Sequence, residues 1–96
     1  MVYYKKTDFK LIGYRKSKTK HKMYDAILED KLTKKLHTVQ FGDKRYQNYH
    51  DKTKLNLYPQ LLHGDNKRRT LYRKRHLKDL RDGYYSPGYF SYHILW

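Results

Sequence analysis

Two short runs place an imidazole beside a carboxylate: His50-Asp51 and His63-Gly64-Asp65. That pairing is what general-base chemistry uses, because the carboxylate fixes the tautomer and raises the basicity of the ring. A third histidine, His76, follows Tyr72 by one helical turn. A metal-dependent nuclease would need more, namely two or three convergent carboxylates or a histidine cluster. The 9 acidic residues show no such grouping along the chain, and no P-loop, H-E-x-x-H, G-x-S-x-G or zinc-ligand spacing occurs. Asp65 reads better as a helix cap, His63 as a turn residue and His76 as a packing partner of Tyr72. The expectation is a protein with no catalytic residue, no metal ligand, no cofactor and no small-molecule substrate.

The stronger chemistry is cationic. Residues 65–81 read DNKRRTLYRKRHLKDLR, a segment with a sorted helical surface. Asp65 suits an N-cap, where its carboxylate meets the positive end of the helix dipole. At 3.6 residues per turn Tyr72, His76, Leu77 and Leu80 are expected on the packing side, and Lys67, Lys74, Lys78 and Arg81 fall within an arc of about 60° on the other. Arg68, Arg69, Arg73 and Arg75 add side chains that grip phosphate or carboxylate in bidentate fashion. The candidate polyanion-binding set is therefore Lys67, Arg68, Arg69, Arg73, Lys74, Arg75, Lys78 and Arg81. Internal pairing of these arginines with Asp79, Asp82 or the acids of the 25–30 segment competes with that role, Arg75 and Asp79 having the i,i+4 spacing.

The elements that must position this set follow from composition and pattern. Lys and Arg number 23 against 9 Asp and Glu, for a net charge of +14 over 96 residues. The cations run along the whole chain (KK at 5–6, RKSKTKHK at 15–22, KLTKK at 31–35), so self-repulsion calls for a polyanionic or acidic partner. The length fits a single small domain. Cysteine is absent, which excludes disulfide staples and thiolate metal sites. No apolar run is long enough to span a bilayer, so membrane insertion is not expected.

Within residues 8–41, the runs Phe9–Tyr14, Met23–Leu28 and Leu36–Phe41 predict short strands. The simplest topology is a three-stranded antiparallel β-meander, too small to stand without a helix on one face. Residues 42–64 read as a loop-rich linker with a short helical or irregular piece, since Pro59 breaks any long helix. The basic helix is expected over 65–82, with Gly83 beyond it as a C′ residue. The fold class is thus α+β. Residues 84–96 form an aromatic tail in which Ser86-Pro87 could open a short helix, while the alternation of Phe90, Tyr92, Ile94 and Trp96 would equally suit a strand.

Tyrosine is the second compositional signal, with 12 Tyr beside 3 Phe and 1 Trp. Its ring packs while its hydroxyl stays polar, which suits half-buried interfaces and stacking on bases. Tyr24, Tyr46 and Tyr72 fall in patterned segments and are expected in the core. Tyr84, Tyr85, Tyr89 and Tyr92 are too crowded for a core alone, and with Phe90 and Trp96 they are expected to anchor the chain against neighbouring protein.

Three ordered motifs carry a resemblance. Phe41-Gly42 with Tyr46 and Tyr49 is similar to an FG-x-x-x-Y-x-x-[YF] element. His63, Asp65, Arg68, Arg69, Tyr72, Arg75 and His76 fit H-x-D-x-x-R-[KR]-x-x-Y-x-x-R-H. Gly88, Tyr89, Phe90, Ser91, Leu95 and Trp96 resemble a terminal G-F-W-S-x-x-L-L-W element, with Tyr89 and Phe90 where Phe and Trp are usual. Together these resemble a family of small basic proteins of nucleocytoplasmic large DNA viruses that has no assigned activity. Relative to that family, HDKTKLNLYPQLL between Tyr49 and His63 looks like an insertion.

The resemblance implies a virion or the host cytoplasm where virions assemble. The leading expectation is a non-catalytic structural component of such a particle, a minor capsid or core protein, with other virion proteins and the genome or acidic neighbours as partners. The competing expectation is an accessory protein outside the particle that binds nucleic acid without sequence specificity. A small metal-dependent nuclease ranks last. No helix-turn-helix or zinc-finger spacing is present, so any nucleic-acid contact should be dominated by backbone charge.

Overall fold

In the computed structural model, which describes residues 4–77 and 83–96, four strands open the chain: β1 (Tyr4–Lys5), β2 (Phe9–Lys16), β3 (Lys22–Asp30) and β4 (Leu36–Asp43). The last three form an antiparallel sheet in the order β2-β3-β4, the expected meander with each strand slightly longer than its apolar run. Register sets the core. Tyr24 lies opposite Phe41 and Ala26 opposite Val39, while Leu28 faces Leu11 and Ala26 faces Tyr14 on the other side. Paired residues project from the same face of a sheet, so Tyr24, Ala26, Leu28, Val39 and Phe41 are buried together. The opposite face is mixed, with Ile27 and Leu36 among Thr38, Gln40 and Glu29, and Arg15 Nε lies 3.1 Å from Asp25 Oδ2 there. A shift in register between Leu11 and Gly13 leaves Ile12 on the surface.

The cover on this sheet is the aromatic tail rather than the basic helix. The Ser86 side chain accepts a hydrogen bond from the Tyr89 amide (3.1 Å) and Pro87 takes the first helical position, the two devices that start a helix at low cost. They open α2 (Pro87–Phe90), which continues as a turn of π-helix over Ser91–Leu95. Of the two conformations open to this segment, the helix is the one formed. Just before it, β5 (Tyr84–Tyr85) pairs with β1, a ribbon too short for periodicity to reveal. Phe90 is fully buried, with its ring 5.3 Å from Phe41 and stacked on Tyr85 at 5.5 Å. Phe90, Tyr92 and Trp96 are thus buried inside the fold, and the anchoring they were expected to offer to neighbours is intramolecular.

Gly42 makes that docking possible. Its φ is +76°, and a Cβ there would lie 2.9 Å from both Leu95 Cδ1 and Met23 Sδ, so any side chain would lift the tail from the end of the sheet. The segment between β4 and the basic helix is irregular yet tied down. The amides of Tyr49 and His50 donate to the Leu95 carbonyl (3.0 and 3.1 Å) and that of Lys52 to Ile94 (3.1 Å). These bonds satisfy carbonyls that the end of a helix leaves without intrahelical donors. Asp51 accepts a short hydrogen bond from the buried Tyr24 hydroxyl and a 2.8 Å bond from the Thr53 amide. Pro59–Leu61 forms the short 3-10 turn expected of a helical piece here.

The basic segment forms α1 (Asn66–His76). Asp65 caps it as expected, its side chain accepting from the amides of Lys67 (2.9 Å) and Arg68 (3.2 Å). The expected continuation to residue 82 falls on residues 78–82, outside those described, together with Lys78, Asp79, Leu80, Arg81 and Asp82.

Candidate polyanion-binding site

Helix α1 has two faces of different chemistry. Arg69, Tyr72, Arg73 and His76 follow the i, i+3, i+4, i+7 spacing and form its half-buried side. Tyr72 stacks on Trp96 with centroids 4.1 Å apart and planes 5° from parallel, and His76 lies 4.2 Å from Tyr72. The helix therefore docks on the aromatic tail. Arg69 donates from Nε to the main-chain oxygen of Trp96 (2.8 Å) and lies 4.8 Å over the Tyr49 ring. Arg73 sits 4.1 Å over the Tyr92 ring and donates to the Tyr92 carbonyl at 3.4 Å. These two arginines are occupied within the fold, which separates them from the rest of the proposed contact set. Leu77, expected on the packing side, is 60% exposed: it lies about 100° around the wheel from His76, toward the cations.

The outer side carries Lys67, Arg68, Lys74 and Arg75, all exposed. Among the described residues the acids do little to neutralise them. Asp25 and Asp43 pair with Arg15 and Arg45. Asp30 accepts from the Leu32 and Thr33 amides, Asp51 serves Tyr24 and Thr53, and Asp65 caps the helix. The Arg45 hydrogen bond draws the Asp43 carboxyl down to about 2, and the Leu32 amide holds Asp30 below its ordinary value. Five of the seven described acids are thus spent on turns, a cap and two local pairs, and neither these nor Asp8 and Glu29 form an ion pair with a described cation of α1.

Beside this outer side runs a groove of about 330 Å³ lined by Tyr46, Gln47, Arg68, Leu71, Tyr72, Arg75, His76 and Trp96. Tyr46, Gln47, Tyr72 and Trp96 also line an adjoining hollow of about 320 Å³ that reaches Gly42, Gly88 and Ser91. All three motif elements quoted from the sequence meet there. Arg68 closes one side by donating from Nη1 to Gln47 Oε1 (2.9 Å). Tyr46 was expected in the core but is 65% exposed. It sits in the turn that follows β4, where its amide bonds to the Asp43 carbonyl, and the Arg45 guanidinium stands 5.8 Å from its ring. Tyr46 and Gln47 were not singled out as site residues; only the turn signal Gly42-Asp43 marks the place where the chain folds back toward the helix.

The histidine–carboxylate runs do not form acid–base pairs. Asp51 is turned to Tyr24 and Thr53, and Asp65 to the helix amides. His63 Nδ1 accepts from the Asp65 amide at 2.9 Å, which places its proton on Nε2, and its ring lies 5.1 Å from Trp96. Burial, then the Arg68 charge, pulls its pKa down. Burial also lowers His50, helped by Lys52, Arg69 and Arg73. His76 is a partner of Tyr72 as expected, whereas His63 lies in the irregular stretch just before the helix cap and not in a turn. Among the described residues no three His, Asp or Glu side chains are grouped so as to hold a metal ion, and no helix is long and apolar enough to cross a membrane. Comparison of the chain with family models, curated proteins and solved structures gives no match.

Proposed function

We propose that this chain is a non-catalytic, polyanion-contacting component of a large DNA virus particle, a minor capsid or core protein. Its outer helix face meets the phosphate backbone of the genome or the acidic surface of a neighbour. One observation supports the polyanion contact above the others. With a net charge of +14, five of the seven described acids (Asp25, Asp30, Asp43, Asp51 and Asp65) accept hydrogen bonds inside the fold, none of the seven forms an ion pair with a described cation of α1, and Lys67, Lys74 and Arg75 face solvent. Such uncompensated cations bind a polyanion by releasing its condensed counterions, which needs no base-specific contact. The particle setting rests on the motif resemblance.

Titrating duplex DNA at several salt concentrations tests the contact. The log–log slope should fall by about 0.9 for each phosphate neutralised. A flat dependence, or no binding near physiological salt, would remove the nucleic-acid role. Mass spectrometry of purified particles tests the setting: the protein should occur in fixed ratio to the capsid protein, and its absence would leave the competing accessory role outside the particle. That second role is favoured by the open groove beside Tyr46, which suits transient binding of unpaired bases.

A further inference from the structure

We propose that the groove between the Tyr46-Gln47 segment and α1 is a binding site for single-stranded nucleic acid, with a base against Tyr46 and phosphates held by Arg68 and Arg75. This deepens the polyanion reading given above and rests on it. The argument starts from what the groove combines. An exposed aromatic ring beside paired arginines is the recurring solution for unpaired strands, since every base offers a π-face and every linkage a charge. Tyr46 is 65% exposed, although a large ring in a turn has no structural need to be displayed. Arg68 and Arg75 both line the same groove, seven residues apart on one helix and hence about 10 Å along its axis. That separation lets each arginine meet a different phosphate of one strand.

Neither arginine has an acidic partner among the described residues. Arg68 uses one of its N–H groups on Gln47, and a guanidinium offers five, so it is positioned by that bond without being saturated. The Arg68 and Arg75 charges in the walls repel a cationic occupant and favour an anionic one. Their shape argues against a duplex, whose bases are stacked inside and whose phosphates face outward, so that it would touch the outer cations without entering the groove. The occupant that uses both the ring and the arginines is a strand with bases exposed.

The test compares three probes by fluorescence anisotropy with the full chain: a short labelled oligothymidylate, a duplex of equal length, and a polyglutamate peptide. Tyr46→Ala should weaken oligothymidylate binding about tenfold or more, the loss of one stacked base, and change duplex binding less than twofold. Tyr46→Phe should restore the single-strand affinity, because the ring and not the hydroxyl stacks. Arg68→Gln with Arg75→Gln should weaken the single strand more than the duplex. Equal loss on both nucleic acids, or none on the single strand, would overturn the groove proposal and leave the duplex salt slope, and with it the polyanion reading, standing. Binding of polyglutamate that depends on Tyr46 and is not displaced by oligothymidylate would overturn it in favour of an acidic protein segment. A wild-type chain that binds none of the three probes would overturn both readings. Melting temperature serves as the folding control, and Tyr46 makes none of the contacts that fix the core.

Discussion

The two sides of α1 use the same residue type for opposite purposes. Arg69 and Arg73 lie on Tyr49 and Tyr92 and donate to the main chain of Trp96 and Tyr92. Arg68 and Arg75 face the groove and solvent. Positions one or two residues apart in a uniformly basic string thus divide between holding the fold and presenting charge. Two things decide which does which: the i, i+3, i+4 geometry of the helix, and the presence on one side of tyrosine faces and carbonyls left open by the tail. Counting charge treats all of these cations alike, and the structure does not.

The sharpest way to break this division is to remove the surface on which the inner side docks. Trp96→Ala takes away the stack on Tyr72 and the contact with His63. It should lower stability by about 3–5 kcal/mol, the usual range for a buried Trp or Phe truncation, as read by urea unfolding. A loss under about 1 kcal/mol would mean that the inner side of α1 is not docked in solution. Arg69→Ala should come next, losing about 1.5–3 kcal/mol for the charged hydrogen bond to the Trp96 main chain. Arg69→Lys should not restore it, because an ammonium cannot donate along the guanidinium plane while covering a ring. The salt slope for duplex DNA should hardly change in either Arg69 variant, and a slope that falls by a full contact would return Arg69 to the binding set.

Tyrosine repeats the contrast at smaller size. Tyr24 is fully buried and bonded to Asp51, whereas Tyr46 is open to solvent. Tyr24→Phe should cost about 1–3 kcal/mol, since Asp51 loses a donor, and Tyr46→Phe should cost nothing measurable. Burial, and then the Asp51 hydrogen bond, push the Tyr24 hydroxyl up to about 12 from 10.0. A raised folded pKa means that this stabilisation is complete below pH 10 and is lost as pH climbs toward 12. Wild type should therefore lose melting temperature over that interval, and Tyr24→Phe should lose less. Equal alkaline loss in both proteins would show that another group governs the transition.

Much of this was legible from residues alone, for reasons that differ by region. The strands were readable because Phe9–Tyr14, Met23–Leu28 and Leu36–Phe41 are short apolar runs separated by polar connectors, and a sheet strand needs that much apolar surface to bury one face. Asp65 and Ser86-Pro87 were readable because caps act through their own side chains. The docking partner of α1 was not readable. Period gives the direction of a face but not what lies opposite, so the stack of Tyr72 on Trp96 has no signature in the helix sequence. Leu77 was misplaced because apolar character was allowed to outweigh its 100° step from His76. Tyr46 was misplaced because it follows a strand closely in sequence, yet the turn at Asp43 carries it off the sheet. For Gly42 the signal lay in a contact with Leu95, more than fifty residues away, and no local pattern reports that.

Protonation probes the inner side through its histidines. Burial lowers the pKa of His50 and His93, with Arg73 and Lys52 acting on both and Lys6 on His93, while Asp51 opposes the shift at His50. His63 is lowered in the same direction, with Asp65 opposing. For a histidine depressed on folding, the unfolded chain binds the proton first. Stability is complete above the unfolded value of 6.5 and is lost as pH falls below it. The melting temperature should thus be lower at pH 5 than at pH 7.5, a window well above that of Asp43, whose effect begins near its unfolded value of 3.8. No change across the histidine window would indicate that these rings are solvated and that the inner side is looser than described.

The outer side should respond least in stability and most in binding. Lys67 and Lys74 are exposed, two turns apart, and make no ion pair with a described acid. Lys67→Gln with Lys74→Gln should shift stability by no more than about 0.5 kcal/mol, the usual range for surface substitutions away from caps and networks. The same pair should reduce the salt slope on duplex DNA by about 0.9 for each lysine that touches a phosphate. Stability and slope therefore move in opposite patterns on the two sides of one helix: Arg69→Ala changes the first alone, and the lysine pair the second alone. If the lysine pair lowers stability by as much as Arg69→Ala and leaves the slope intact, the sides of α1 have been assigned the wrong way round.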